Sequence, residues 1–327
     1  MGYSAQVVAR ARQRLAQQNA DQQSQYRQAL TRAYEQAPRL KEIDMQLRRT
    51  MAVAAQAVFA EGGDIQSEME RVKKENLSLQ QERKELIAEQ FGNDFPEETP
   101  ACAACGGSGY LGSNMCTCLR NLCQEEQKKE LRQLTGGQEQ FSRFRLEYYP
   151  EQVDRTYGAA PRTIMERNLQ YCIRYAEHFS DGIGNLLFVG GTGLGKTFLS
   201  ACIANAVTDK GFSVAYESAP QLFSKLEKHR FNPDEQTAIE VANINSCDLL
   251  IIDDLGTELP GNFVTAALYS LLNERLLNEK ALLISTNLNI DEIAKRYSPQ
   301  IASRLQGSFK GLTFVGQDIR VMKARGM

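Results

Sequence analysis

No apolar run in the sequence approaches the ~18 residues that a membrane-crossing helix needs. The first residues, MGYSAQVVARARQR, also lack the roughly 7- to 15-residue apolar core of a signal peptide. Membrane insertion and export are therefore disfavoured, and a cytoplasmic protein is expected. Histidine is scarce: His178 and His229 are the two in the chain, and neither has the partners of a catalytic triad in view. Neither sign of charge dominates, since 38 Lys and Arg oppose 40 Asp and Glu for a net charge of -2. That balance says little about partners, because one basic face can be offset by acidic surface elsewhere. Proline is nearly missing from the first 95 residues, where Pro38 stands alone. Eight cysteines in a chain without an export signal favour reduced thiols, as metal ligands or buried packing groups, over a disulfide framework.

What is present suggests about two domains plus connecting material in 327 residues. Residues 1–95 read as helix, with nine Gln among the first 37 positions alternating with Ala, Leu, Arg and Tyr. Pro38 and the Gly62-Gly63 pair are the natural breaks, so helices are expected near 4–37, 40–60 and 65–90. The third places Ile65, Met69 and Val72 at helical spacing, then scatters Leu77, Leu79, Leu86 and Ile87, which does not secure a coiled coil. Residues 1–50 carry 9 basic and 4 acidic groups, and 51–100 carry 5 and 11. Such faces are either simply solvated or a surface for a partner. A charged helix is expected from Leu119 to Leu134, ending at Gly136-Gly137. From about residue 140, short apolar runs (NLLFVGG, FSVAYES, DLLIIDDLG, ALLISTN, GLTFVGQD) alternate with helix-length segments, the pattern of βαβ units and a parallel sheet.

Five of the eight cysteines fall within residues 100–123. Cys102 and Cys105 form a CxxCxGxG turn, and Cys116 and Cys118 follow across a glycine-containing loop. Two close pairs can bring four thiolates into a tetrahedron, a closed structural Zn²⁺ site. Cys123 is an alternative to Cys118, and a metal-free, redox-sensitive cluster is the competing reading. Cys172, Cys202 and Cys247 lie in apolar helix or strand contexts and read as packing residues.

The strand NLLFVG runs into Gly190-Gly191-Thr192-Gly193-Leu194-Gly195-Lys196-Thr197 and then a helix-forming segment, the P-loop pattern in its required setting. Glycines let the backbone turn tightly and aim successive N–H groups at phosphate oxygens. Lys196 would neutralise the β- and γ-phosphates of ATP, Thr197 would hold Mg²⁺, and the helix dipole would add to the attraction. Some fifty residues on, the strand DLLIIDD ends in two carboxylates. Apolar on both faces, it is expected in the sheet interior beside the P-loop strand. Asp253 would then hold Mg²⁺ and Asp254 polarise the attacking water, unless the pair merely caps a helix. Asp254 is one methylene shorter than Glu, so slow turnover, suited to a switch, is expected.

After a GLGKT loop, the segments LLIIDDLGTE, NERLLNEKALLISTNL and RYSPQIASRLQG occur in an order that resembles the AAA+ ATPases. Within them they resemble the DnaC/DnaI-type replicative helicase loaders, with IstB-like ATP-binding proteins as close relatives. The resemblance covers residues 140–327 most closely and extends less closely to the cysteine segment. It implies an α/β fold, a P-loop AAA+ core whose parallel sheet is sandwiched by helices, preceded by an α-helical region and a small zinc-binding knuckle. It further implies that Asn287 orients the hydrolytic water, that Arg304 is an arginine finger reaching a neighbouring subunit, and that Arg320 is a second γ-phosphate sensor. Only seven residues follow Arg320, so the helical lid of many AAA+ proteins is expected to be vestigial or missing. Phe231 and Phe263, with Lys225, Lys228 and Arg230, sit where loaders present aromatics to single-stranded DNA, although both rings could equally be core.

The expected organisation is a helical partner-binding region at 1–95, a zinc knuckle and linker helix at 96–138, and an ATPase domain at 139–327. The expected function is an ATP-dependent loader that grips a hexameric replicative helicase through its N-terminal region and places it on single-stranded DNA. ATP, Mg²⁺ and Zn²⁺ would be its cofactors, and ATP would promote self-association. A transposition or phage-replication helper ATPase is the alternative, as is a nucleotide-gated adaptor with negligible turnover.

Overall fold

The computed structural model of the protein describes residues 3–57, 65–135 and 139–324, with side chains described except at 51–57, 65–69, 133–135 and 323–324. Helices α1 (Ala5–Gln36), α2 (Pro38–Ala57) and α3 (Ile65–Gln90) open the chain. Pro38 separates the first two because it lacks an N–H and has a fixed φ. Both features suit the first turn of α2, where that N–H would have no helical partner. The expected break at Gly62-Gly63 lies outside the described residues. A small antiparallel hairpin, β1 (Tyr110–Leu111) and β2 (Asn114–Met115), precedes helix α4 (Thr117–Thr135). The stop expected at Gly136-Gly137 is also outside the described residues.

The chain folds into two units, Arg14–Cys116 and Met1–Gln13 with Thr117–Met327. In the first, α2 packs on α3, with Ala33, Ala37, Leu40, Ile43, Val72 and Leu79 buried. Leu77, on the same helix as Val72, is 57% exposed, which fits an irregular apolar stripe. Arg83 pairs with Asp44 at 2.6 Å, and Tyr34 donates to the same carboxylate at 2.6 Å.

In the second unit, α5 (Pro161–Glu177) leads into β3 (Asn185–Val189) and α6 (Lys196–Asp209). Then follow β4 (Val214–Ser218), α7 (Ala219–Phe231), α8 (Glu235–Ser246), β5 (Leu249–Leu255), α9 (Asn262–Leu277) and β6 (Ala281–Thr286). The chain continues through α10 (Ile290–Arg296), α11 (Pro299–Ser308), β7 (Phe309–Thr313) and α12 (Ile319–Ala324). The five long strands form one parallel sheet in the order β4-β5-β6-β3-β7. Alternate residues of each strand supply opposite faces, as the two-residue strand period requires. Leu186, Phe188, Leu249, Ile251 and Leu283 enter a core shared with α5 and α6, whereas Leu187, Leu250, Ile252, Leu282 and Ile284 enter a core shared with α7, α9 and α11. Both faces are thus covered, the condition under which a parallel sheet is stable.

One expectation is corrected. The carboxylate strand β5 is interior, but it does not lie beside the P-loop strand: β6 is inserted between β5 and β3. An apolar strand signals burial on both faces and not which neighbours it takes. The insertion matters, because it carries the C-terminal end of β6, and so Asn287, between the phosphate loop and the two aspartates.

Among the described residues no helix is long and apolar enough to cross a membrane.

Candidate functional site

The loop 190–195 joins β3 to α6, and Lys196 is the first residue of that helix. Gly193 has φ +70°, and a Cβ placed there would lie 1.9 Å from the Asp318 carboxylate. Gly195 has φ +91°, with the Tyr149 hydroxyl 3.0 Å from the corresponding position. Glycine alone combines that backbone with that space. The loop is held from outside as well: Ile319 N–H donates to the Gly193 carbonyl at 3.0 Å, and the Tyr149 hydroxyl donates to the Leu194 carbonyl at 2.9 Å.

A cavity of about 330 Å³ opens against this loop. Thr192, Gly193, Leu194, Gly195, Lys196 and Thr197 line it, together with Asp254 and Arg320. Gly190, Gly191 and Asn287 line a second cavity, about 800 Å³, that shares Leu194 with the first. Lys196 is buried, and its Nζ donates to the carbonyls of Gly190 (2.6 Å) and Gly191 (2.7 Å) and to Oδ1 of Asn287 (2.6 Å). Burial lowers the lysine's pKa, and the charges of Asp254 and Asp253 oppose that shift.

The two aspartates differ sharply. Asp253 is 7% exposed, and its carboxylate accepts from the hydroxyls of Ser285 and Tyr216, the latter at 3.1 Å. Burial, then the Asp253 charge, raises the Tyr216 pKa well above its ordinary value, so the phenol stays a donor. Asp254 is half-buried and takes φ +55° at an irregularity in the β5–β6 ladder, where its N–H donates to Ser285 Oγ at 2.9 Å. Desolvation, reinforced by Asp253, raises its pKa above the usual carboxylate value. Neither residue caps a helix, since α9 begins after Gly261. Ser285, fully buried and joined to both aspartates, was not singled out by the sequence pattern. Its signal is its place next to Thr286 and Asn287 at the end of an apolar strand.

Arg304 lies elsewhere. On α11 its guanidinium rests 4.8 Å from the Tyr269 ring centroid and donates to the Tyr269 hydroxyl at 3.0 Å, outside the lining of either cavity. Arg320, exposed on α12, is brought to the phosphate-loop end of the first cavity. Phe231 is 69% exposed, with its ring 5.8 Å from that of half-buried Phe263 and the Arg230 guanidinium at 5.8 Å. Lys225 and Lys228 already pair with Glu217 at 2.6 Å and Asp234 at 2.9 Å. The segment before α5 also lines the first cavity, through Glu139, Phe144 and Tyr149, none of which the sequence pattern marked. Their signal is weak, an aromatic cluster ahead of the first strand.

The sulfurs of Cys102, Cys105, Cys116 and Cys118 all lie within 4.8 Å of one another, with Cys102 and Cys116 at 3.9 Å. Zn–S bonds of about 2.3 Å in a tetrahedron set sulfur pairs just under 4 Å apart, so the spacing suits zinc. Gly109 N–H donates to Cys105 Sγ at 3.2 Å, an outer-shell bond of the kind that orients a thiolate. Cys123 is not in this cluster, and burial pushes its thiol up to about 11. Cys172, Cys202 and Cys247 are buried.

Comparison with known proteins bears on this arrangement. The family model of IstB-like ATP binding proteins matches residues 122–302, more than half of the chain. The chain belongs to this family. The chain is 24% identical over 136 residues to the replicative helicase loader DnaC of Escherichia coli (strain K12), covering 41% of this chain and 54% of that protein. It is 26% identical over 144 residues to DnaC of Buchnera aphidicola subsp. Schizaphis graminum, covering 43% and 58%. The chain thus spans about half the length of the curated relatives it matches. A crystal structure of the DnaC helicase loader aligns at 20% identity and TM-score 0.44, over 54% of this chain and 98% of that one.

Proposed function

We propose that this IstB-like protein is an ATP-dependent loader of a hexameric replicative DNA helicase, using nucleotide binding and slow hydrolysis as a switch. The observation that carries the reading is the meeting of Lys196 with Asn287 at a glycine cradle whose cavity is also lined by Asp254 and Arg320. Lys196, Asp254 and Asn287, which follow three different strand ends, meet there, and in this reading they would bind phosphate, polarise water and sense the γ-phosphate.

The residues present fit MgATP. A Cβ at Gly193 or Gly195 would run into Asp318 or Tyr149 and displace the loop, and Thr197 and Asp254, which line the cavity, with Asp253 next in the chain offer the hard oxygen ligands that Mg²⁺ takes. Thr197 and Asp253 would hold the ion, which supplies charge neutralisation at the phosphates. The loop amides and Lys196 would bind the triphosphate, Asp254 would accept a proton from the attacking water, and Asn287 would orient that water. Arg304, held on Tyr269 away from this chain's own cavity, would act on the site of a neighbouring copy and tie ATP to self-association. The four clustered cysteines would hold one structural Zn²⁺, which folds the knuckle at 96–138. The helices of 1–95 would grip the helicase, and 139–327 would be the ATPase. Exposed Phe231, with half-buried Phe263 beside it, would stack on single-stranded DNA.

Two measurements test the reading. Steady-state phosphate release should be abolished by Lys196→Ala or Asp253→Asn. Nucleotide binding without release, even with DNA and partner, would reduce the protein to a nucleotide-gated adaptor. Affinity capture from the source cytosol with ATP, repeated with ADP, should recover a replicative helicase in one nucleotide state. Recovery of a transposase would make it a transposition helper.

A further inference from the structure

The turn after β5 carries Asp254 at φ +55°, in the left-handed region that residues other than glycine occupy uncommonly. Such a conformation persists where the surroundings over-determine it. Here the Asp254 carbonyl accepts from Thr257 twice, from its N–H at 3.2 Å and from its hydroxyl at 2.8 Å, which closes the turn. Within the turn, the Leu255 carbonyl accepts the Thr286 hydroxyl at 2.6 Å. Gly256, at φ +108°, abuts Leu288, whose side chain would lie 2.8 Å from a Cβ placed there. Its N–H donates to Oε2 of Glu258 at 2.9 Å.

Glu258 is buried, yet it lines neither cavity and has no part in the phosphate chemistry. Its other oxygen, Oε1, accepts the Tyr297 hydroxyl and the Arg296 guanidinium, whose Nη2 lies 3.2 Å away and also donates to the Glu258 backbone carbonyl. Burial, and then the bond to Glu258, raises the Tyr297 pKa above its ordinary value, so the phenol stays a donor. Arg296 ends α10, the helix that starts three residues past Asn287, and Tyr297 follows it. One carboxylate thus pins the turn after β5 to the far end of the helix after β6. Those strands are neighbours, and Asp254 and Asn287 stand at their ends. A buried ion pair adds little net stability, because desolvation offsets much of its attraction. What so many directional bonds on one carboxylate do supply is fixed geometry. We infer that Glu258 is a positioning residue for hydrolysis, its carboxylate holding the 254–257 turn against α10 so that Asp254 stays aimed at the water that Asn287 orients. This rests on the roles proposed above for Asp254 and Asn287, and it adds the group that keeps the two in register. Glu258 itself would touch neither nucleotide nor water.

The test compares chemistry, binding and local order in the full-length protein. Single-turnover phosphate release reads the first, calorimetric titration with MgATP the second, and amide hydrogen exchange without nucleotide the third. Glu258→Ala should release phosphate about 10- to 100-fold more slowly, the scale of a misplacement of about 1 Å, while MgATP affinity stays within about threefold. Its amide exchange should quicken at 254–258 and leave β3, β6 and residues 249–252 of β5 as protected as in wild type. Should Glu258→Ala fail to fold, Tyr297→Phe carries the test: losing one hydroxyl, it should show the same split, with release about three- to tenfold slower, about the worth of one hydrogen bond. Wild-type release rates in either folded variant would overturn the inference. So would a loss of MgATP affinity that matches the loss of release, or exchange that quickens across the whole sheet, since a residue that merely stabilises the fold does that. Wild type that releases no phosphate would instead overturn the hydrolytic reading on which the inference stands.

Discussion

The bond between Lys196 and Asn287 makes an unusual demand on an Asn287→Ala variant. The ammonium is spread over three acceptors, two loop carbonyls and the Asn287 amide oxygen, at 2.6 to 2.7 Å. To serve a triphosphate, Lys196 must turn from at least the last of these. Hydrogen bonds to a charged group contribute about 1.5–3 kcal/mol each. Part of that returns because water reaches the amine once the amide is gone, so a net gain of up to about 1.4 kcal/mol, or tenfold, in MgATP affinity is expected. Under the proposed role of Asn287, hydrolysis should fall by at least about a hundredfold, since the attacking water would lose its orienting partner. Asn287→Asp should act oppositely on binding, because a carboxylate facing the ammonium would hold Lys196 more firmly against position 287 and weaken MgATP. Isothermal titration gives the affinity, and single-turnover phosphate release gives the chemistry. If Asn287→Ala weakens MgATP more than tenfold, Asn287 is a nucleotide ligand and the reasoning fails.

Asp254→Asn should abolish phosphate release yet raise the melting temperature of the nucleotide-free protein near neutral pH. A carboxyl whose pKa rises on folding destabilises the fold when charged, so the gain should persist above its folded pKa and vanish below about pH 4, where the carboxyl is protonated in both states. Cys102→Ser with Cys105→Ser should remove one equivalent of zinc by atomic emission, and unchanged metal content would rule out the knuckle. Arg304→Ala should leave MgATP affinity within about threefold while removing hydrolysis and ATP-dependent self-association in sedimentation; unchanged turnover would refute a finger acting between copies. Arg275, fully buried, donates to the carbonyls of Ile244, Asn245, Cys247 and Ala281, so Arg275→Met should cost about 4 kcal/mol in urea unfolding from stranded acceptors. A loss below about 1 kcal/mol would show that water takes over those carbonyls.

Features that depend on short spacing were legible in the sequence. Three N-terminal helices, the alternation of strands and helices, the glycine loop and the cysteine pairs each announce themselves within a dozen residues. What was not legible depends on which segments meet. The strand order placing β6 between β3 and β5 arises from competition among apolar strands that look alike locally. Ser285 reads as an ordinary strand residue until the ladder irregularity sets it against Asp253 and Asp254. Glu139 sits in a stretch of short 3₁₀ turns with no periodicity, and its place at the cavity is fixed by Asn205, over sixty positions away. Arg275 likewise looks like a solvated helix residue, and its burial follows from the carbonyls at the end of α8.

Two consecutive carbonyls of the phosphate loop, those of Gly193 and Leu194, are tied to segments at opposite ends of the domain's sequence, Ile319 after the sheet and Tyr149 before it. A loop fastened on both sides cannot move at one fastening alone. Were its occupant to change from triphosphate to diphosphate, as the proposed function requires, any accompanying shift of the loop would load both fastenings together.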